Sequence, residues 1–432
     1  MTDNVPALLR AYRLLSAAAA PLAPLLLARR KMLGKEHPAR MSERYGLSRI
    51  ARPRGPLVWV HGASVGELMA VFPLIERICA REIFVLVTSG TVTSAGLAQQ
   101  RLPRGAIHQF VPLDAPRFVA QFLDHWRPDL SLFVESDLWP NLILQTAERR
   151  VPLILVNGRL SESSFRRWRR LRATIGGLLR RFDLCLARTP ADAERLRELG
   201  APRIVITGNL KLDVPAPPAN DAVLQAAKAA IGSRPAFAAA STHPGEEVMV
   251  IDAHRRLRQS FPGLLTLLAP RHPERGSGIA EIAAAAGLKA ALRSRGQMLE
   301  PGTDIYIADT MGELGLLYRL APIVFIGGSL VRHGGQNPIE AAKLGAAILH
   351  GPHVWNFADI YVALDKARGA EQVSDAEMLA AKIGAWLGDP AKRKSVAATA
   401  RDTVEALGGA LERTVGALDP YLMQLRLGRG DA

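Results

Sequence analysis

Short apolar runs rich in valine, isoleucine and leucine recur along this chain, each followed by a longer stretch with helical spacing of its apolar residues. In the first half they lie at 57–60, 83–87, 130–134, 153–156, 184–186 and 204–206. A strand without polar alternation is buried on both faces, so the pattern predicts parallel strands with covering helices, a doubly wound α/β architecture. The stretch Val214-Pro215-Ala216-Pro217-Pro218-Ala219-Asn220 continues neither element and predicts a linker over 214–220. Beyond it the alternation restarts, with runs at 236–240, 264–268, 305–307, 323–326 and 347–349. The expected organisation is an N-terminal segment over 1–34, a Rossmann-like domain over 35–213 and a second over 221–432, the two facing across a cleft.

The N-terminal segment breaks the pattern. Positions 14–28 carry no charge, with Arg10 and Arg13 before them and Arg29, Arg30 and Lys31 after. Interrupted by Pro21 and Pro24, this run suits a helix lying in a membrane interface, and extended back to Val5 it approaches the length of a span. Basic residues on its far side and the lack of a small-residue cleavage site argue against an exported signal peptide. The basic flank leading into the body would keep it on the cytoplasmic side.

Composition narrows the chemistry. A chain of 432 residues with 48% hydrophobic content exceeds one ordinary core and is folded. Cys79 and Cys185 both sit in apolar patterns, which excludes a disulfide framework and a cysteine zinc site and fits a reducing compartment. A formal net charge of +15 calls for an anionic partner. The densest basic stretch, Arg166-Arg167-Trp168-Arg169-Arg170-Leu171-Arg172 with Arg180 and Arg181, lacks any nucleic-acid-binding signature. It reads better as a surface drawn to an anionic membrane or to lipid phosphates, and no nucleic-acid partner is expected.

Candidate chemistry lies where strands end. His61-Gly62-Ala63-Ser64-Val65-Gly66-Glu67 carries an apolar run through two glycines into a helix, so Glu67 is placed to take a proton from a ligand at the strand end. At a helix start it is expected to be ionised, which suits a base. In the second half, Arg271 just past a strand can fork onto a phosphate. Thr310-Met311-Gly312-Glu313 and Gly327-Gly328-Ser329 likewise follow strands and offer backbone amides. Gly334-Gly335-Gln336-Asn337-Pro338-Ile339-Glu340 opens a helix whose free amides suit a phosphate, with Glu340 placed to accept from ribose hydroxyls. Neither half carries Gly-x-Gly-x-x-Gly after its first strand, a phosphate loop or His-Glu-x-x-His, and Asp-x-Asp is absent throughout. Neither metal nor cofactor is expected.

These segments, with Glu135-Ser136-Asp137-Leu138-Trp139-Pro140-Asn141, Asn157-Gly158-Arg159-Leu160-Ser161, Gly208-Asn209-Leu210-Lys211-Leu212-Asp213, Ser241-Thr242-His243-Pro244-Gly245-Glu246-Glu247 and Gly351-Pro352-His353, closely resemble the 3-deoxy-D-manno-octulosonic acid (Kdo) transferases of lipopolysaccharide assembly. The resemblance implies the GT-B fold and inverting transfer of Kdo from CMP-Kdo to a lipid A precursor, lipid IVA. It implies Glu67 as general base, with Glu135 and Lys211 near the transition state. It also implies that Pro270, Arg271, Met311, Gly312, Glu313, Asn337, Pro338, Ile339 and Glu340 hold the CMP. Three positions depart from the family's pattern. Asp137 stands for a second glutamate, Gln336 for the histidine of Gly-Gly-His-Asn, and Gly158 for a common alanine. The competing readings are a GT-B transferase or epimerase using a UDP-sugar, and a non-enzymatic basic membrane adaptor.

Overall fold

The computed structural model describes residues 5–427; positions 1–4 of the N-terminal segment and 428–432 of the second domain lie outside that range. The chain forms two compact units, one of residues 1–214 with 408–432 and the other of 215–407.

The first unit is built on a seven-stranded parallel sheet in the order β3-β2-β1-β4-β5-β6-β7. Its strands are β1 Leu57–His61, β2 Phe84–Ser89, β3 Ala106–Phe110, β4 Leu130–Val134, β5 Leu153–Gly158, β6 Leu184–Ala187 and β7 Ile204–Ile206. The second unit repeats the plan in the order β10-β11-β9-β8-β12-β13-β14. There the strands are β8 Ala236–Thr242, β9 Leu265–Pro270, β10 Ala290–Leu292, β11 Ile305–Ile307, β12 Ile323–Ile326, β13 Ala347–His350 and β14 Ala370–Gln372. Every pairing in both sheets is parallel.

The order reverses direction between β1 and β4 in one sheet and between β8 and β12 in the other. At such a switch point the connecting helices leave towards opposite faces, and a crevice opens outside the carboxyl ends of the strands. Any residue immediately after β1, β4, β8 or β12 is therefore aimed at a ligand-sized gap.

Three strands, β3, β10 and β14, escape the apolar-run reading, and all three lie at sheet edges. An edge strand pairs on one side only and is less covered, so Ala106-Ile107-His108-Gln109-Phe110 mixes polar with apolar residues and hides the signal.

The domain boundary also differs from the sequence expectation. The last helix, Ala410–Leu427, belongs to the first unit. Its buried face of Ala410, Val415, Leu418 and Leu422 joins the core formed by Leu68, Leu74, Ile75, Ile78 and Leu210. Asp213 fastens its start by accepting from the Gly409 (2.8 Å) and Leu411 (2.5 Å) N–H groups. Assignment by position along the chain fails here because the first sheet's outer face needs this apolar stripe.

The N-terminal segment is a helical run over 7–32, long and apolar enough to cross a membrane by length and composition. Its two α-helices, Ala7–Ala19 and Ala23–Met32, are joined by a short 3-10 turn. Leu9, Ala23 and Leu27 are buried against the first unit. Tyr12 donates to Asp114 (3.0 Å), Arg13 to Glu148 (2.6 Å) and Asn141 to Ser16 (3.0 Å), so the inner face is tied down by polar bonds as well. On the outer face Leu14, Leu15 and Leu25 are 72%, 70% and 70% exposed. In the basic stretch, Phe165 is buried, Trp168 packs partly against the core and the flanking arginines are exposed. The tryptophan is thus a packing residue and not an outward reader of bases.

Candidate active site

In the first unit the switch-point residues meet. β1 ends at His61, and Ser64 caps the helix Val65–Cys79 by accepting from the Glu67 N–H (3.3 Å). The Glu67 carboxylate folds back over this cap. One oxygen accepts from the Ala63 N–H (2.7 Å) and the other from the Ser64 hydroxyl (3.0 Å). Gly62 lets the turn pack closely: a Cβ there would sit 3.3 Å from both Glu67 Cβ and Leu68 Cδ2, tight enough that these side chains would have to shift. Burial raises the Glu67 pKa above the ordinary 4.5, and the negative charges of Glu135 and Asp137 raise it further, against the two hydrogen bonds. The helix start alone would lower this pKa; the net shift runs the other way. Desolvation and like charge outweigh the helix terminus.

Glu135 follows β4 directly and holds a left-handed backbone, φ 60°. A non-glycine residue there carries strain of about 1–3 kcal/mol, which the surroundings must impose. They do so through its N–H, bonded to the Val156 carbonyl (2.9 Å), and through its carboxylate, 2.5 Å from Lys211 Nζ. Lys211 lies on the short turn Leu210–Leu212, whose start is set by Asn157 Oδ1 accepting from the Leu210 N–H (3.0 Å). Asn157 Nδ2 also approaches Glu135 at 3.5 Å. Glu67, Glu135 and Lys211, far apart in sequence, thus converge on one strand-end cluster.

Beneath it lies a chain that the sequence reading did not single out. Trp59 Nε1 donates to Thr88 Oγ1 (2.9 Å), which contacts His61 Nδ1 (2.8 Å), and His61 Nε2 meets Asp137 (3.1 Å). Burial opposes ionisation of Asp137, but the hydrogen bond and charge of fully buried His61, with a further bond from Trp139, hold its pKa below the ordinary value. A shorter aspartate at this family-glutamate position still reaches His61.

In the second unit a shallow pocket of about 70 Å³ opens at the ends of β8, β9 and β11, lined by Ser241, Pro270, Arg271, Met311, Gly312 and Glu313 among others. Arg271 is exposed, and its guanidinium has no hydrogen-bond or ion-pair partner among the described residues. Glu313 accepts from Arg293 (2.8 Å) and Thr310 (3.0 Å), which fixes the loop carrying exposed Met311 and Gly312.

One expectation about free amides needs correction. The Gly328, Ser329 and Leu330 N–H groups after β12 are taken by the fully buried Glu246 carboxylate at 2.6–3.0 Å, which also accepts from the His243 N–H (2.9 Å). The chain's own anion fills that nest. At the helix Ile339–Lys343, the Ile339 N–H donates to Asn337 Oδ1 (3.0 Å) and Asn337 Nδ2 donates to Glu340 (3.2 Å). Pro338 and Ile339 are buried, and burial raises the Glu340 pKa. Asn337, Pro338, Ile339 and Glu340 form their own cluster and do not line the pocket around Arg271.

Comparison with known proteins follows the same segments. A family model described as 3-deoxy-D-manno-octulosonic-acid transferase matches residues 39–214. A 3-deoxy-D-manno-octulosonic acid transferase from Bordetella pertussis is 37% identical over 389 residues, covering 87% of this chain and 90% of that one. The chain belongs to the Kdo transferase family. A probable mitochondrial member from Arabidopsis thaliana is 34% identical over 415 residues, 93% of either chain. Among solved structures, a UDP-GlcNAc 2-epimerase from Neisseria meningitidis bound to UDP-GlcNAc aligns with TM-score 0.57 at 12% identity, covering 84% of this chain and 99% of that one. At that identity it speaks for the fold alone, and the fold is GT-B: two Rossmann-like units, each with its own switch point. The family assignment makes the chain a glycosyltransferase and sets aside the non-enzymatic adaptor.

Proposed function

We propose that this Kdo transferase moves Kdo from CMP-Kdo to lipid IVA in lipopolysaccharide assembly, in a single inverting displacement without metal and with Glu67 as the base. The observation that carries the reading is the Glu67 carboxylate, oriented by two donors at a switch point and shifted towards higher pKa. A base works best when its pKa approaches the working pH, so the shift favours proton abstraction over permanent ionisation. The acceptor hydroxyl gives its proton to Glu67 as its oxygen attacks the anomeric carbon. The bond from that carbon to the phosphate oxygen breaks on the opposite face, and CMP departs with the electron pair. Arg271, unpaired and exposed, supplies the charge that stabilises the leaving phosphate. The Glu135–Lys211 pair flanks the reacting centre.

Mass spectrometry of the tetraacyl lipid A precursor incubated with CMP-Kdo and chelator tests the reading. A Kdo adduct is expected, and an unmodified acceptor counts against it. CMP should raise the melting temperature and UDP should not, since only a ligand of the folded state stabilises it. The reverse preference would favour a UDP-sugar enzyme.

The Glu67 shift also sets a pH dependence. Activity needs the deprotonated carboxylate, so kcat/KM should fall as pH drops through a single limb lying above 4.5. Glu135→Gln removes the second cause of the shift, and the limb of its residual activity should move down. A limb that stays in place in that variant would separate Glu67 from the rate.

For the membrane, we propose that the exposed face of the N-terminal helices lies in the cytoplasmic leaflet of the inner membrane beside the arginine-rich helix Glu162–Arg170. The buried side of the segment is anchored to the body, so removing it whole would uncover core. The cleaner variant replaces Leu14, Leu15 and Leu25 with glutamine. Sedimentation with anionic vesicles should then fall severalfold at moderate salt while the melting temperature holds. Unchanged sedimentation would assign the attachment to the arginines alone.

A further inference from the structure

Four side chains at the second unit's switch point have no part in the chemistry so far. His243 follows β8, His272 follows β9, and His333 and Gln336 lie in the loop after β12, so three strands bring them together. The His243 and His333 rings stack, with centroids 4.2 Å apart and planes 19° from parallel. His272 stands edge-on to His243 at 6.1 Å. Gln336 Nε2 lies 3.1 Å from His243 Nε2. His272 and His333 are exposed, whereas His243 is buried at the base. Burial holds the His243 pKa down to about 4, with His333, His272 and Arg271 adding to the effect.

The arrangement is unusual for a structural core. Two exposed imidazoles and the guanidinium of Arg271 gather around a buried ring; His272 has the Glu274 carboxylate 3.8 Å away, and no carboxylate accepts from His333 among the described residues. Ring N–H groups and a guanidinium crowded at strand ends suit an anion that arrives with the ligand. The Glu246 nest beside them is already satisfied, so the imidazoles and not the backbone are the donors on offer.

The proposed donor carries two anions. In a CMP-linked 2-keto acid sugar, the carboxylate and the phosphate oxygen hang from the same anomeric carbon, so their binding sites must be neighbours. Arg271 can answer one of them. The other needs a second donor beside it.

We propose that His333 and His272, set by His243 and Gln336, form the subsite for the carboxylate of the donor sugar, next to the phosphate on Arg271. The subsite distinguishes CMP-linked keto-acid sugars from CMP itself and from CMP-linked neutral sugars. It rests on the CMP-Kdo reading above.

The test separates nucleotide from sugar. Exposed His333 is replaced first, because buried His243 risks the fold. In the full-length enzyme His333→Ala should raise KM for CMP-Kdo about tenfold or more, the scale of one hydrogen bond to a charged group, while calorimetric Kd for CMP stays within about twofold. Gln336→Glu sets a carboxylate against the incoming one and should raise the same KM with CMP binding intact. His333→Arg, which keeps an N–H donor, should recover most of the loss. An unmoved donor KM in both His333→Ala and Gln336→Glu overturns the subsite and leaves the CMP-Kdo reading standing. Equal weakening of CMP and CMP-Kdo would make these residues part of the nucleotide site and also overturns it. Failure of the wild-type enzyme to bind CMP overturns both.

Discussion

Glu67→Gln is expected to lower turnover by about 10²-fold or more, the usual scale for losing a general base, with CMP affinity and stability nearly unchanged. The swap keeps the shape of the side chain. A carboxamide oxygen can still accept from the Ala63 N–H or the Ser64 hydroxyl, so the cap over the helix Val65–Cys79 persists in part. Glu67 nevertheless has a structural role open to it, since its two hydrogen bonds close the helix start. The measurement that separates the roles is single-turnover transfer beside thermal unfolding. A large fall in melting temperature with a proportionate loss of folded enzyme would assign Glu67 to the cap. Full activity in Glu67→Gln would remove it as the base. The acid limb of the wild-type profile should vanish in the variant, because its cause is the group that was replaced.

The sequence foretold the fold in the interior of each sheet and lost it at the margins. Val58, Val60, Leu132 and Ile154 are buried on both sides of central strands, and nothing but an apolar run can occupy such positions. Edge strands such as β14 carry one buried residue in three, and no local pattern marks them. The helix Ala410–Leu427 was legible as a helix but not as part of the first unit, because its partner face is assembled from residues several hundred positions earlier. The site divides in the same way. Glu67 follows from local grammar, a strand, two glycines and a cap. Glu135 and Lys211 could be named only through the family resemblance, since their pairing exists only after β4 and the turn at Leu210–Leu212 come together. The Gly327-Gly328-Ser329 loop shows the opposite failure. Its sequence is that of an anion cradle, and only the fold reveals that Glu246 occupies it.

Arg271→Ala is expected to weaken CMP binding by about 1.5–3 kcal/mol, the range for a hydrogen bond to a charged group. Three features make the loss large for a single exposed side chain. Among the described residues the guanidinium has no competing carboxylate, so its charge is available to a ligand. Its backbone is fixed by the Arg271 N–H donating to the Thr242 carbonyl (2.9 Å), which ties the end of β9 to the end of β8. One other amide cluster that the sequence offered to a phosphate is engaged by Glu246, and at the helix Ile339–Lys343 the Ile339 N–H is taken by Asn337. The proposed phosphate contact then rests mainly on Arg271, beside the open loop of Met311 and Gly312. Arg271→Lys should recover only part of the affinity, since an ammonium keeps the charge but not the planar fork. Calorimetry with CMP and with cytidine decides the point. The loss in Arg271→Ala should appear for CMP and not for cytidine, which lacks the phosphate. Equal losses for both would move Arg271 to the base, and no loss for either would return it to the surface and leave the phosphate to another part of the second unit.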